Sequence, residues 1–217
     1  MNSIKNLIRG NNLFRKYHFD EFKDDLYHLI EHGQKPDVLF ISCCDSRITP
    51  DFMIGNRPGD LFTLRNIGNF VPPFTSDGEF HGNASAIEYA VSILNVSHII
   101  VCGHSYCGAC ESLYKEIPDN ENYINIKKWL ELGQKAKQMT LKDKNLYNTK
   151  EDLYRATEKN SIICQLENLL TYPAIKEKIS ENKIDIHGWY YDLSDGSIEY
   201  YDKKNNKYKN ITEYIEE

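Results

Sequence analysis

Two short segments of this chain combine residue types that hold a soft metal ion. His104-Ser105-Tyr106-Cys107 sets an imidazole and a thiol three positions apart, so both side chains can reach one tetrahedral ion from a single turn. A third ligand must come from elsewhere, and Cys43, in the string Cys43-Cys44-Asp45-Ser46-Arg47, is the natural donor. Two thiolates and an imidazole favour zinc over magnesium or calcium, which prefer oxygen. Three protein ligands leave a fourth position open, the arrangement of a catalytic rather than a structural zinc.

The residues beside Cys43 suit that chemistry. Asp45 can accept a proton from the ion's water or orient the resulting hydroxide. Arg47 can hold Asp45 ionised through a paired hydrogen bond and lower its pKa. Released from Arg47, Asp45 becomes a conditional fourth ligand that closes the site. Zinc lowers the pKa of bound water from about 15.7 toward ~7, so residue chemistry alone leads as far as attack by a zinc-bound hydroxide. The competing arrangement is a closed structural zinc with Cys44, Cys102 or Cys110 as fourth ligand, but structural sites usually pair their ligands in short knuckles. Cys102 lies within an apolar run and Cys164 among Ile162, Ile163 and Leu166, so both read as core. Cys110 is one turn beyond Cys107, close to the ion or simply buried, and Cys44 points to the opposite side of an extended backbone from Cys43.

Strands and helices must bring these segments together. Asp37–Ser42, Leu61–Leu64 and His98–Val101 are short apolar runs suited to buried strands, and each stops at reactive polar residues: Cys43–Arg47, Arg65-Asn66 and His104–Cys107. Between them lie helical patterns. Leu13–Ile30 carries an amphipathic stripe closed by Gly33 and Pro36, Thr49-Pro50 opens a short helix, and Asn83 caps a helix through Leu94. Asn122–Gln138 and Glu151–Leu170 predict two further helices, with Lys142–Lys150 as a solvated loop. Ile184–Leu193, a Ser194-Asp195-Gly196 turn and Ser197–Tyr201 predict a hairpin. The expected fold is α/β: a mostly parallel sheet flanked by helices, a C-terminal hairpin adding an antiparallel edge, and a helical N-terminal arm. We expect a single domain over residues 1–217, with residues 1–33 as the arm and 34–217 as the core. In such sheets functional groups gather outside the carboxyl ends of the strands.

The chain as a whole narrows the classes. Its 217 residues, 41% hydrophobic and 27% charged, match a globular protein able to bury a core without cross-links. The net charge of −6 offers no basic face for nucleic acid. No targeting signal or bilayer-length apolar run is evident, so no membrane association and a cytoplasmic location are expected. In a reducing compartment the six cysteines are metal ligands or core thiols rather than disulfides.

Taken together, Cys43-Cys44-Asp45-Ser46-Arg47, Arg65-Asn66-Ile67-Gly68-Asn69 and Cys102-Gly103-His104-Ser105-Tyr106-Cys107-Gly108 closely resemble the β-class carbonic anhydrases of bacterial type, from about Gln34 to Gly188-Trp189. The resemblance implies zinc-dependent reversible hydration of carbon dioxide to bicarbonate and a proton. It implies one zinc per subunit on Cys43, His104 and Cys107, with Asp45 and Arg47 as the catalytic pair. By the same matching, Gln34, Phe62, Ile67, Tyr89 and Gly108 fall in the substrate pocket, some from the neighbouring protomer. It also implies a homo-oligomer built on dimers, and the arm's apolar stripe then packs on a partner subunit or on its own core. Some bacterial members have an inhibitory bicarbonate pocket built on a tryptophan where this chain has Phe40. Phenylalanine has no N–H donor, so that regulation is not expected. His81 and Tyr106 are candidates for passing protons to buffer by residue type alone. Two other readings fit the same residues: a carbon disulfide or carbonyl sulfide hydrolase on the same scaffold, and a non-catalytic, zinc-stabilised redox-sensing or binding protein. The Asp45-Arg47 pair argues against the last, because a passive site needs no such pair.

Overall fold

The computed structural model describes residues 3–215 of the chain. An arm of two helices, α1 (Ser3–Tyr17) and α2 (Phe19–His32), leads into β1 (Val38–Cys43), α3 (Pro50–Ile54) and β2 (Leu61–Asn66). Next come α4 (Gly82–Glu88), which runs on as a wide turn through Ile93, then β3 (His98–His104) and α5 (Gly108–Ser112). Three helices follow, α6 (Ile124–Leu130), α7 (Gln134–Lys142) and α8 (Lys150–Leu169). The rest is α9 (Pro173–Ser180), β4 (Asp185–Tyr191), β5 (Ile198–Asp202), β6 (Lys207–Asn210) and α10 (Thr212–Ile215).

One six-stranded sheet in the order β2-β1-β3-β4-β5-β6 carries the fold. The first four strands in that order are parallel, and β5 and β6 add an antiparallel edge. The mixed sheet flanked by helices, with N-terminal helices, is the fold expected from the sequence. Helix crossovers bury both faces of the parallel part, which is why β1 and β3 are apolar almost throughout and buried beyond their first residue. Ser42 lies opposite Cys102 and Cys43 opposite Asn66, so the three reactive segments end side by side.

Several expected boundaries shift for physical reasons. The single N-terminal helix is two, broken at His18, and none of its residues is buried within the chain. Near β2 it is tied down where Arg57 pairs with Asp25 at 2.6 Å and lies over the Phe22 ring. The helix expected over Asn122–Gln138 tightens into a short turn at Glu131–Gly133, where α6 ends and α7 begins. Thr49 makes no side-chain cap, although Pro50 does open α3. Asn83 lies inside α4 and accepts from the Asn66 amide at 2.9 Å instead of capping. The solvated loop contains a turn at Lys144–Leu146, and Thr149 and Asp152 form a reciprocal capping box for α8. Strand β6 is a short edge strand with exposed ends and a half-buried middle, and only Tyr208 packs against the core, so it carries no apolar alternation.

Helix α8 lies across β3 and β4, and two glycines let it approach. A Cβ on Gly188 would sit 2.7 Å from Ile162 Cγ2 and 3.0 Å from Leu166 Cδ1; one on Gly103 would sit 2.8 Å from Ile162 Cδ1. Ile162 is fully buried and its branched carbon cannot swing aside cheaply. Gly188→Ala is therefore expected to destabilise the fold by about 1–3 kcal/mol through overpacking, read as a lower urea midpoint at unchanged slope.

Candidate metal centre

The carboxyl ends of β1 and β3 bring Cys43, His104 and Cys107 together. One donor atom from each lies within 4.8 Å of the others, and all three residues are buried. His104 Nδ1 is 2.9 Å from the Ser105 carbonyl, which can only accept, so Nδ1 carries the proton and Nε2 is left with a lone pair. That Nε2 is buried and has no hydrogen-bond partner. An unpaired buried acceptor is costly, and a cation shared with two thiols resolves it.

The thiols point the same way. The Cys107 thiol and burial push Cys43 up to about 12, with His104 opposing. Cys107 is raised by the Cys110 thiol, and burial adds to it. Buried thiols in this state ionise when a cation neutralises them. Cys43 Sγ also accepts from the backbone N–H groups of Asp45 and Gly68, both at 3.4 Å. Gly68 has φ +78°, and a Cβ there would lie 2.8 Å from the Ala109 Cβ. Only glycine brings this N–H to the sulfur without strain. The donor set therefore fits a soft divalent ion such as zinc.

Asp45 and Arg47 form the fork-on-fork pair expected of them. Arg47 Nε donates to Oδ1 at 2.9 Å and Nη2 to Oδ2 at 2.7 Å, with the Arg47 backbone N–H adding a third bond at 3.0 Å. The guanidinium holds the Asp45 carboxyl well below the usual carboxylate range. Arg47 Nη2 also donates to the Tyr106 carbonyl at 2.9 Å, joining the two halves of the site. Arg65 fixes the loop beneath. It donates to the carbonyls of Cys43, Asp45 and Ile48 at 3.0, 2.9 and 2.8 Å.

A cleft of about 490 Å³ opens onto these residues, lined by Cys43, Asp45, Ile67, Gly108, Ile126 and Leu130 among others. Of the five residues proposed for a substrate pocket, Ile67 and Gly108 line this cleft. Gln34 is exposed on the connector before β1. Phe62 and Tyr89 stack on each other at 5.8 Å, and neither lines the cleft of their own chain. Phe40 is fully buried and meets Trp189 edge-on at 6.2 Å. Of the two proton-passing candidates, His81 Nε2 is 2.7 Å from Asp77 Oδ1, and Tyr106 is half exposed beneath Arg155. Cys102 and Cys164 are core thiols, Cys110 is buried beside Cys107, and Cys44 is exposed. Sequence reasoning missed Glu158 on α8, which is buried and accepts from the Cys107 backbone N–H at 2.8 Å. Its signal is positional: it shares the helical stripe of Ile162, Gln165, Leu166 and Leu169, all buried.

The family profile described as "Carbonic anhydrase" matches residues 38–198. A carbonic anhydrase of Synechococcus elongatus is 36% identical over 195 residues, 90% of this chain and 70% of that protein. One of Helicobacter pylori (strain J99) is 35% identical over 207 residues, covering 94% and 93% of the two. Among solved structures, the β-carbonic anhydrase CcaA superposes with a TM-score of 0.87 at 34% identity, covering 97% of this chain and 92% of that one. A tetrameric β-carbonic anhydrase of Sordaria macrospora gives 0.80 at 26% identity over 92% and 97%. With profile, sequence and fold in agreement over most of its length, this chain belongs to the β-class carbonic anhydrase family.

Proposed function

We propose that this chain catalyses the reversible hydration of carbon dioxide to bicarbonate and a proton, using one zinc ion held by Cys43, His104 and Cys107. The observation that carries this reading is the unpartnered Nε2 of buried His104 beside two buried thiols. Zinc bound there supplies a Lewis acid that makes a nucleophile available from water at neutral pH.

The chain's own residues do the rest. Arg47 occupies both carboxylate oxygens of Asp45, which keeps Asp45 ionised and anchored rather than free to ligate. A carboxylate oxygen has a second lone pair, so Asp45 can still accept a proton from the attacking oxygen and aim it at the carbon. Ile67, Ala109, Ile117, Ile126 and Leu130 wall the cleft with apolar surface. Such walls admit a small non-polar gas and hold charged bicarbonate poorly.

The same reading makes the chain part of a dimer-based homo-oligomer. Leu7, Ile8, Tyr17 and Ile30 are left largely exposed along the arm, a surface suited to a second copy. Gln34, Phe62 and Tyr89 then serve the cleft of the neighbouring protomer. No described helix is long and apolar enough to cross a membrane. The six free thiols suit a reducing compartment, which in this reading is the cytoplasm.

Stopped-flow hydration of carbon dioxide with parallel zinc analysis tests the proposal. Activity should track one zinc per chain, vanish on chelation and return with zinc. Turnover of carbon disulfide or carbonyl sulfide with none of carbon dioxide would select a hydrolase. A zinc-loaded protein inert toward all three would select the non-catalytic reading.

A further inference from the structure

Behind the candidate centre lies a buried ion-pair network. The Glu158 side chain is 1% exposed, and it ties its own helix to the Cys107 turn and to β4. Oε1 accepts from the Cys107 backbone N–H and from Arg155 Nη2, both at 2.8 Å. Oε2 accepts from the hydroxyl of buried Tyr190 on β4, also at 2.8 Å. Arg155, one turn earlier on α8, lays its guanidinium 4.0 Å from the centre of the Tyr106 ring.

These contacts converge on one strained turn. Tyr106 has φ +61°, in the left-handed region that a non-glycine residue holds only when its surroundings enforce it. The backbone N–H that follows it belongs to Cys107 and is the one Glu158 accepts. The ring is the one Arg155 covers, and the Tyr106 carbonyl is the one that takes Arg47 Nη2. A buried charge left without partners is strongly disfavoured, and these three donors are the partners that hold Glu158 in place.

We propose that Glu158 is a positioning residue for the centre, with Arg155 as its second limb. Glu158 fixes the left-handed turn and thereby the Cys107 thiol. Arg155 seats Tyr106 and thereby the carbonyl that anchors Arg47. The proposal rests on the zinc site proposed above. It assigns two separable effects, metal affinity to the Glu158 limb and turnover to the Arg155 limb.

The test uses the full chain, with zinc affinity measured by chelator competition and the visible spectrum recorded after cobalt substitution. Glu158→Ala is expected to weaken zinc binding by about 10–100-fold, the usual cost of losing a partner behind a metal ligand, and to alter the thiolate-to-cobalt charge-transfer bands. Glu158→Gln keeps an acceptor for the Cys107 N–H and should restore most of both. Arg155→Met should leave zinc affinity within about threefold and lower kcat by tenfold or more, the range reported for such outer contacts. Leu169→Ala, a buried truncation at the far end of α8, controls for general loosening. If Glu158→Ala does not fold, the Gln and Met variants carry the test between them. Parent-like zinc affinity and cobalt bands in Glu158→Ala, or losses matched by Leu169→Ala, would overturn the proposal. So would a loss of zinc affinity of tenfold or more in Arg155→Met. A parent protein that binds neither zinc nor cobalt would instead defeat the zinc reading itself.

Discussion

Cys43→Ser is expected to empty the centre of zinc and to lower carbon dioxide hydration by on the order of a thousandfold or more. Serine is close in size, so the cost is chemical. Its hydroxyl is a hard donor that stays protonated, whereas the thiol becomes a soft anionic ligand once a cation is beside it. The N–H groups of Asp45 and Gly68 that point at Cys43 Sγ from 3.4 Å are arranged for a large, polarisable, negative atom. The variant should keep its fold, because the β1 ladder and the Arg65 bonds to the loop carbonyls do not involve the sulfur. Zinc content by elemental analysis, the far-ultraviolet spectrum and stopped-flow rates distinguish the cases. Full hydration by metal-free Cys43→Ser would defeat the assignment of this centre, while an unfolded variant would move the question to His104→Ala.

Why the candidate ligands were legible in the sequence and their support was not follows from where each residue lies. Cys43, His104 and Cys107 stand at the polar ends of apolar strands, and β1 and β3 are neighbours in the sheet, so a reading of strand ends alone puts them together. Asp45 and Arg47 share a local segment with Cys43, and their pairing needs no long-range contact. Glu158 is different: it lies 51 positions from Cys107, in a helix with charged residues on several sides. Its place on the stripe of Ile162 and Leu166 hints that it turns inward, and the packing of α8 on β3 and β4 shows what it meets there. Gln34, Phe62 and Tyr89 entered through family likeness, and a single chain leaves them outside its own cleft. The kink at His18 and the edge strand β6 have little apolar periodicity to reveal them, whereas β1 and β3 announce themselves by nearly continuous apolar runs.

Asp45→Asn is expected to keep the zinc and lose turnover by about 10²–10⁴-fold, the range for removing a positioned proton acceptor. Arg65 holds the backbone of this loop through three carbonyls, so the ligands stay in place when only the side-chain charge changes. Asparagine still offers one oxygen to Arg47, but its other group is a donor, and it presents an N–H where the reaction needs an acceptor. Because that contact matters in the transition state, kcat and kcat/KM should fall together. The pH dependence has a definite sign. Arg47 lowers the Asp45 pKa, so the pair's contribution to stability is present above the ordinary carboxylate value of about 3.9 and is lost as pH falls through the lower, folded value. Across pH 5–9 Asp45 remains ionised, and the ratio of parent to Asp45→Asn rates should be flat. A ratio collapsing toward one near pH 6 would mean that Asp45 titrates in the working range and is not held by Arg47. Arg47→Ala supplies the complement: with its partner gone the carboxylate moves back toward the ordinary range and is free to turn onto the ion. Its residual activity should therefore fall with acid faster than that of the parent.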